Sequence, residues 1–205
     1  MKLFLTSYLA GTKELVQNFL TKNNVQEILF IPTAANVEEY RGYVDEGIAA
    51  LKESGYDVTI LDVATAPHNK SAQAVKNSGC LCISGGNTFY LLQELKRNGL
   101  LDLIKQKVQD GMLYIGESAG AIIACPDISY NQIMDDKTVA TELTNYSGMG
   151  LVDYYVLPHN GEFPFVETTA QTIKVYNEKI NLVPINNSQA VIVENGVSSI
   201  LTEPL

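Results

Sequence analysis

Short apolar runs alternate with stretches of helical character from Lys2 to Pro126, and that rhythm narrows the fold more than any other feature of the chain. Lys2–Thr6, Glu27–Pro32, Asp57–Asp62 and Cys80–Ser84 read as strands, and the runs EILFIP and CLCIS are almost wholly apolar. Continuous apolar strands are buried on both faces, as in parallel sheets. Between them, helices are predicted over Thr12–Lys22, with Leu15, Phe19 and Leu20 on one face, over Val37–Ser54, closed by Gly55, and over Lys70–Asn77. Helices over Thr88–Lys96 and Leu100–Gln109 lead to a fifth strand at Met112–Ile115. This alternation specifies the α/β class: a doubly wound, mostly parallel sheet with helices on both faces. Farther on, Asp153–Leu157 and Asn181–Ile185 read as extended and Glu162–Glu178 as carrying a helix. Ala190–Leu201 reads as a C-terminal β-hairpin turning at Asn195-Gly196. No linker or repeat interrupts the pattern, so residues 1–205 are expected to form a single domain.

The fifth strand runs into Gly116-Glu117-Ser118-Ala119-Gly120 and on into Ala121-Ile122-Ile123-Ala124, which carries no hairpin chemistry and continues best as a helix. Strand, Gly-x-Ser-x-Gly turn, helix is the pattern of a nucleophile elbow. A side chain at position 116 or 120 would collide with the neighbouring strand or helix. The serine stands at the apex beside a helix N-terminus, whose unpaired N–H groups and positive dipole end stabilise an oxyanion. A serine that only caps the helix fits the same residues, so its partners decide between the two.

A serine hydroxyl is a poor nucleophile until a base takes its proton, and the chain offers only His68 and His159. In open α/β sheets the working residues gather beyond the carboxyl ends of the strands. Ser118 lies at such an end, and so does His159, in Pro158-His159-Asn160-Gly161 after VDYYVLP. His68 follows the third strand, which a doubly wound order can displace from the elbow. His159 is therefore the expected base. For the group that orients it, Asp135 and Asp136 are the leading candidates, in a polar loop after the elbow helix. Only one of two adjacent residues can face the imidazole. Glu142 stands in reserve, with Glu117 behind it. Gly85-Gly86-Asn87-Thr88 ends the fourth strand and opens a helix, so its glycine amides are placed to form half an oxyanion hole, with the Ala119 N–H as the other half. No Lys-Ser/Thr follows as in a phosphate-binding loop. Asn87 reads equally as a helix cap and as a substrate contact.

A net charge of −9 leaves no clustered basic surface for nucleic acid or an anionic membrane. No apolar run approaches the roughly 20 residues of a membrane span, and the apolar stretch at the N-terminus is too short for a signal-peptide core. Cys80, Cys82 and Cys125 are an odd set within apolar segments, which reads as buried thiols in a reducing cytoplasm. No residue pattern calls for a metal or a cofactor.

Ser84-Gly85-Gly86-Asn87-Thr88-Phe89-x-Leu91-Leu92, Gly116-Glu117-Ser118-Ala119-Gly120-Ala121 with Ala124-Cys125-Pro126, and Pro158-His159 together resemble the peptidase E (alpha-aspartyl dipeptidase) family of serine peptidases, whose relatives include cyanophycinase. The order and spacing match from Ile31-Pro32 to about Glu178. The resemblance implies a flavodoxin-like, three-layer fold like that of class I glutamine amidotransferases. It implies Ser118 as nucleophile, His159 as base, and an oxyanion hole from the Gly86 and Ala119 amides. Two departures are visible. Aspartyl dipeptidases place the acidic triad member where this chain has Ile133, while cyanophycinase-like members place a glutamate close to Asp136. Aspartyl dipeptidases also carry arginines on the helix after the histidine, and Phe165–Thr172 has none. Arg41 and Arg97 are the only arginines, and Arg41 is the candidate substitute for reading a substrate carboxylate.

The expected function is that of a cytoplasmic serine peptidase, monomeric or homodimeric, hydrolysing short peptides through an acyl-enzyme on Ser118. A preference for N-terminal Asp lacks residues to support it. The alternatives are a small serine esterase and a non-catalytic binding domain on the same scaffold.

Overall fold

The computed structural model describes residues 1–204. β1 (Lys2–Thr6), β2 (Glu27–Ile31), β3 (Asp57–Ile60), β4 (Cys80–Ile83) and β5 (Leu113–Glu117) run parallel to one another. β6 (Tyr155–Leu157) and β7 (Leu182–Pro184) pair in parallel as a separate two-stranded sheet. β8 (Gln189–Glu194) pairs antiparallel with β1 and with β9 (Val197–Thr202), completing a seven-stranded sheet in the order β3-β2-β4-β5-β1-β8-β9. The fold is thus α/β, with a mostly parallel central sheet, helices on both faces and a C-terminal hairpin. Asn195 (φ +53°) and Gly196 (φ +80°) make the left-handed turn that the hairpin requires.

The apolar strands are continuous because successive residues feed opposite faces, and both faces are covered. Phe4, Phe30, Cys82 and Ile115 point to α1 (Lys13–Lys22) and α2 (Gly42–Glu53). Leu5, Ile31, Ile83 and Tyr114 point to α3 (His68–Asn77), α4 (Thr88–Arg97), α5 (Leu100–Gln109) and the short α6 (Ala119–Ile122). All three cysteines are buried and unpaired. No helix of the described residues is long and apolar enough to cross a membrane.

Several boundaries differ from those read in the sequence. The helix expected from Val37 starts at Gly42, because Thr33–Val37 forms a 3₁₀ turn and Glu38 is extended (ψ 140°). β3 stops at Ile60, where Asp62 turns back to accept hydrogen bonds from Thr33, Asn36 and the Ala64 amide. The helix expected from Glu162 is α7 (Val166–Tyr176), whose start lies beyond Pro164. β3 is an edge strand separated from β5 by β2 and β4, so His68, at the start of α3, is remote from the elbow.

Candidate active site

Ser118 ends β5, a strand in the middle of the sheet, and takes φ +46°, ψ −106°, a conformation that L-residues adopt only under constraint. The constraint is visible in its neighbours. The Ser118 amide is held by the Thr6 carbonyl at 2.8 Å on β1. A Cβ at Gly116 would lie 2.4 Å from the Gly120 carbonyl oxygen, and one at Gly120 would lie 2.3 Å from the Ile83 carbonyl oxygen on β4. Only glycine permits strand, turn and helix to close this tightly.

His159 follows β6 and reaches the elbow through Ser7, at the end of β1. The Ser7 hydroxyl donates to the Ile185 carbonyl at 3.1 Å and accepts the His159 amide at 3.0 Å, which ties the small sheet to the rim of the large one. Phe165 stacks on the imidazole, with ring centroids 4.7 Å apart. The ring then bonds at both ends: Nε2 lies 3.0 Å from Ser118 Oγ, and Nδ1 lies 2.7 Å from Asn187 Oδ1. An amide oxygen only accepts, so Nδ1 carries the proton and Nε2 presents its lone pair to the serine hydroxyl. Burial holds the His159 pKa below its ordinary value, against the upward pulls of the Asn187 bond and the Glu162 charge. The imidazole is neutral, as a general base must be.

Neither Asp135 nor Asp136 bonds to His159. Asp135 Oδ2 accepts the Thr88 amide at the start of α4 (2.7 Å) and Asn131 Nδ2 (2.8 Å). Burial pushes its carboxyl up to about 6. Asp136 is exposed and caps the next 3₁₀ turn through the Thr138 amide. Both acids are taken by nearby orphan amides, and the imidazole finds a neutral amide instead. Asn187 lies in the loop between β7 and β8, outside the segment between Ser118 and His159. Glu162 stands behind it, with Oε1 3.5 Å from the Asn187 amide. Glu142 lies elsewhere, its amide donating to Gln93.

Glu117 is buried under the elbow. Its Oε1 accepts the Leu9 amide at 2.8 Å and its Oε2 the Gly85 amide at 3.2 Å, and burial pushes its carboxyl up to about 7. The Gly85 N–H is therefore occupied. The Gly86 and Ala119 amides donate to no other group among the described residues, which leaves them available to an oxyanion. At Gly86 (φ +130°) a Cβ would strike the Ala34 carbonyl at 2.3 Å. Asn87 acts as a cap, with Oδ1 accepting the Tyr90 amide at 3.0 Å and Nδ2 donating to the Asp136 carbonyl at 2.9 Å.

These groups border a cleft of about 640 Å³. Its walls carry the carboxylates of Glu38, Glu46, Glu117, Asp135 and Asp136, the aromatic rings of Tyr8, Tyr40, Tyr43, Phe163 and Phe165, and no Lys or Arg. Arg41 is exposed, is absent from the cleft wall, and donates to Asn36 at 3.5 Å.

A strained serine in bonding distance of a neutral imidazole, at the carboxyl rim of an α/β sheet, is the arrangement of a serine hydrolase. The comparison with known proteins narrows the class. The model for peptidase family S51 matches residues 3–201. An uncharacterized peptidase of Pasteurella multocida (strain Pm70) is 42% identical over 194 residues, covering 95% of this chain and 94% of its own. A peptidase E of Nostoc sp. (strain PCC 7120) is 33% identical over 152 residues, 74% of this chain and 59% of its own. A solved structure from Listeria monocytogenes EGD-e that carries a peptidase E designation superposes with a TM-score of 0.92 at 39% identity, over 98% of both chains. The chain belongs to peptidase family S51, and the resemblance to peptidase E read from its motifs is shown. It is a peptidase, of a family of serine type.

Proposed function

We propose that this chain is a serine peptidase that cleaves short peptides through an acyl-enzyme on Ser118. The observation that carries the reading is the 3.0 Å contact between His159 Nε2 and Ser118 Oγ beside two unclaimed amides. His159 takes the hydroxyl proton as Oγ attacks the peptide carbonyl. The Gly86 and Ala119 N–H groups receive the developing oxyanion. The imidazolium then protonates the leaving amine, and the same imidazole deprotonates the water that releases the acyl group. Asn187 holds the productive tautomer, and the nearby Glu162 supplies the negative charge that a triad acid would otherwise provide.

The cleft walls argue for the substrate. A carboxylate-lined pocket without a cation disfavours a substrate side chain that is itself acidic, and it offers acceptors to a free peptide N-terminus. An N-terminal Asp preference is therefore not part of the proposal, and a peptide is a better occupant than a simple uncharged ester. The test compares hydrolysis of dipeptides with free N-termini against simple esters, with Ser118→Ala as control. Loss of both turnover and labelling by a serine-reactive phosphonate in the variant is expected, together with cleavage of N-terminal Asp peptides at least tenfold slower than of neutral ones. Turnover by the variant, or a profile confined to esters, refutes the proposal.

A further inference from the structure

Glu117 is a buried charged group beside the nucleophile that the mechanism above does not use. It lies 2% exposed, immediately before the nucleophile, and a buried carboxylate in a pocket that does not hydrolyse anything through it calls for a reason. Its two oxygens are committed to two different loops. Oε1 holds Leu9, in the loop that carries Ser7 and, through Ser7, the His159 backbone. Oε2 holds Gly85, the residue before the oxyanion amide of Gly86. The Gly86 peptide is anchored on its other side as well, where the Asn87 amide donates to the Ala34 carbonyl at 2.9 Å. Gly86 thus sits between two pinned amides, and its own N–H is the one left free. Its φ of +130° is a conformation in which a glycine backbone swings easily, so the pins matter.

We propose that Glu117 is a positioning residue: its ionised carboxylate, bridging the Leu9 and Gly85 amides, aims the Gly86 N–H at the oxyanion and keeps the histidine loop in register with it. This rests on the acyl-enzyme reading of Ser118. Only the ionised form can do the work, because two N–H donors need two acceptor oxygens, and a protonated carboxyl turns one of them into a donor facing a donor. The groups that face Glu117 are Glu46 and Tyr43 on α2, Tyr8 in the loop after β1, and Cys82 on β4. None is cationic, and burial is the main reason that its carboxyl titrates near 7 rather than in the ordinary carboxylate range. Burial holds His159 below its ordinary value. The two essential deprotonations are therefore shifted in opposite directions along the pH axis.

The experiment is the pH dependence of kcat/KM, with kcat and KM resolved at pH 8, for the wild-type peptidase and for Glu117→Gln, which fixes the side chain in a neutral form of nearly the same shape. In the wild type, log kcat/KM should fall with unit slope below about pH 7 and steepen to a slope of two once His159 also protonates. In the variant, kcat at pH 8 should drop about tenfold or more with KM within about twofold, and the remaining limb should move to lower pH with unit slope. A structural role alone moves neither the limb nor its slope. A wild-type profile with no limb near 7 overturns the inference without recourse to any variant, and so does a Glu117→Gln profile that coincides with the wild type. Should Ser118→Ala abolish turnover while these profiles show no Glu117 limb, only this inference falls. Should Ser118→Ala remain active, the acyl-enzyme reading falls first.

Discussion

Replacing Asn187 tests the least conventional part of the site. The Nδ1···Oδ1 bond is 2.7 Å long and joins two neutral groups in the resting protein. When His159 takes the serine proton the same bond becomes charge-assisted. A neutral hydrogen bond contributes about 1 kcal/mol and one to a charged group roughly 1.5–3 kcal/mol, so the transition state loses about 0.5–2 kcal/mol more than the ground state when the acceptor is removed. That difference is a fall of roughly 2- to 30-fold in kcat. Freeing the ring to adopt the other tautomer, which points an N–H at Ser118, adds to it, and Asn187→Ala should lose roughly 10- to 100-fold overall. Because the effect is confined to the reacting state, KM should change little. Asn187→Asp provides the opposite perturbation. A carboxylate at this position favours the imidazolium, so the His159 pKa rises and the limb it controls moves to higher pH, while the rate at pH 8 is largely kept. The assay is steady-state hydrolysis of a dipeptide with a free N-terminus between pH 5 and 9. An Asn187→Ala rate within twofold of wild type, or identical limbs in the Ala and Asp variants, refutes the role given to this bond.

Other consequences are equally direct. Gly120→Ala places a methyl group 2.3 Å from the Ile83 carbonyl, where backbone meets backbone and neither side chain can yield; overpacking of this kind costs about 1–3 kcal/mol or more, a Tm drop of several degrees. Gly79→Ala, with nothing within 4 Å of the new methyl, is the control and should leave Tm nearly unchanged; equal drops in a thermal melt would contradict the packing account. Asp135 and Glu117 are both held above their ordinary values, to about 6 and about 7, so the stability they contribute is full below about pH 4 and is lost as pH rises toward 7, up to roughly 3 kcal/mol for each. His159, held below its ordinary value, acts in the other direction as pH falls, so the measurement is the difference between wild type and Asp135→Asn in urea unfolding at pH 5 and pH 8. The variant should show the smaller loss on going to pH 8, and parallel behaviour of the two proteins would remove Asp135 as an acid held above its ordinary value.

Much of this protein is local enough to be read along the chain. Phe30 and Ile31 face opposite helical layers, yet both must be apolar, so a strand buried on two sides announces itself in five letters. Gly116 and Gly120 announce a close approach of backbones because no other residue permits it, while the serine between them reads as nucleophile or helix cap until its partners are known. The single histidine at the end of a later strand completes that inference by elimination. What the chain order could not convey is who touches that histidine. Asn187 is 28 residues away, in a loop without an acid, and its value depends on an amide oxygen arriving 2.7 Å from Nδ1. Ser7 matters only because β6 and β7 separate from the main sheet and need a tie to its rim. Asp135 had the right charge and lies on the cleft wall, but the Thr88 amide at the start of α4 and the Asn131 side chain claim it. Composition and periodicity determine which surfaces are buried, since burial depends on residue type and spacing alone. The assignment of each donor to its acceptor is a competition among groups distant in sequence, and only the folded chain decides it.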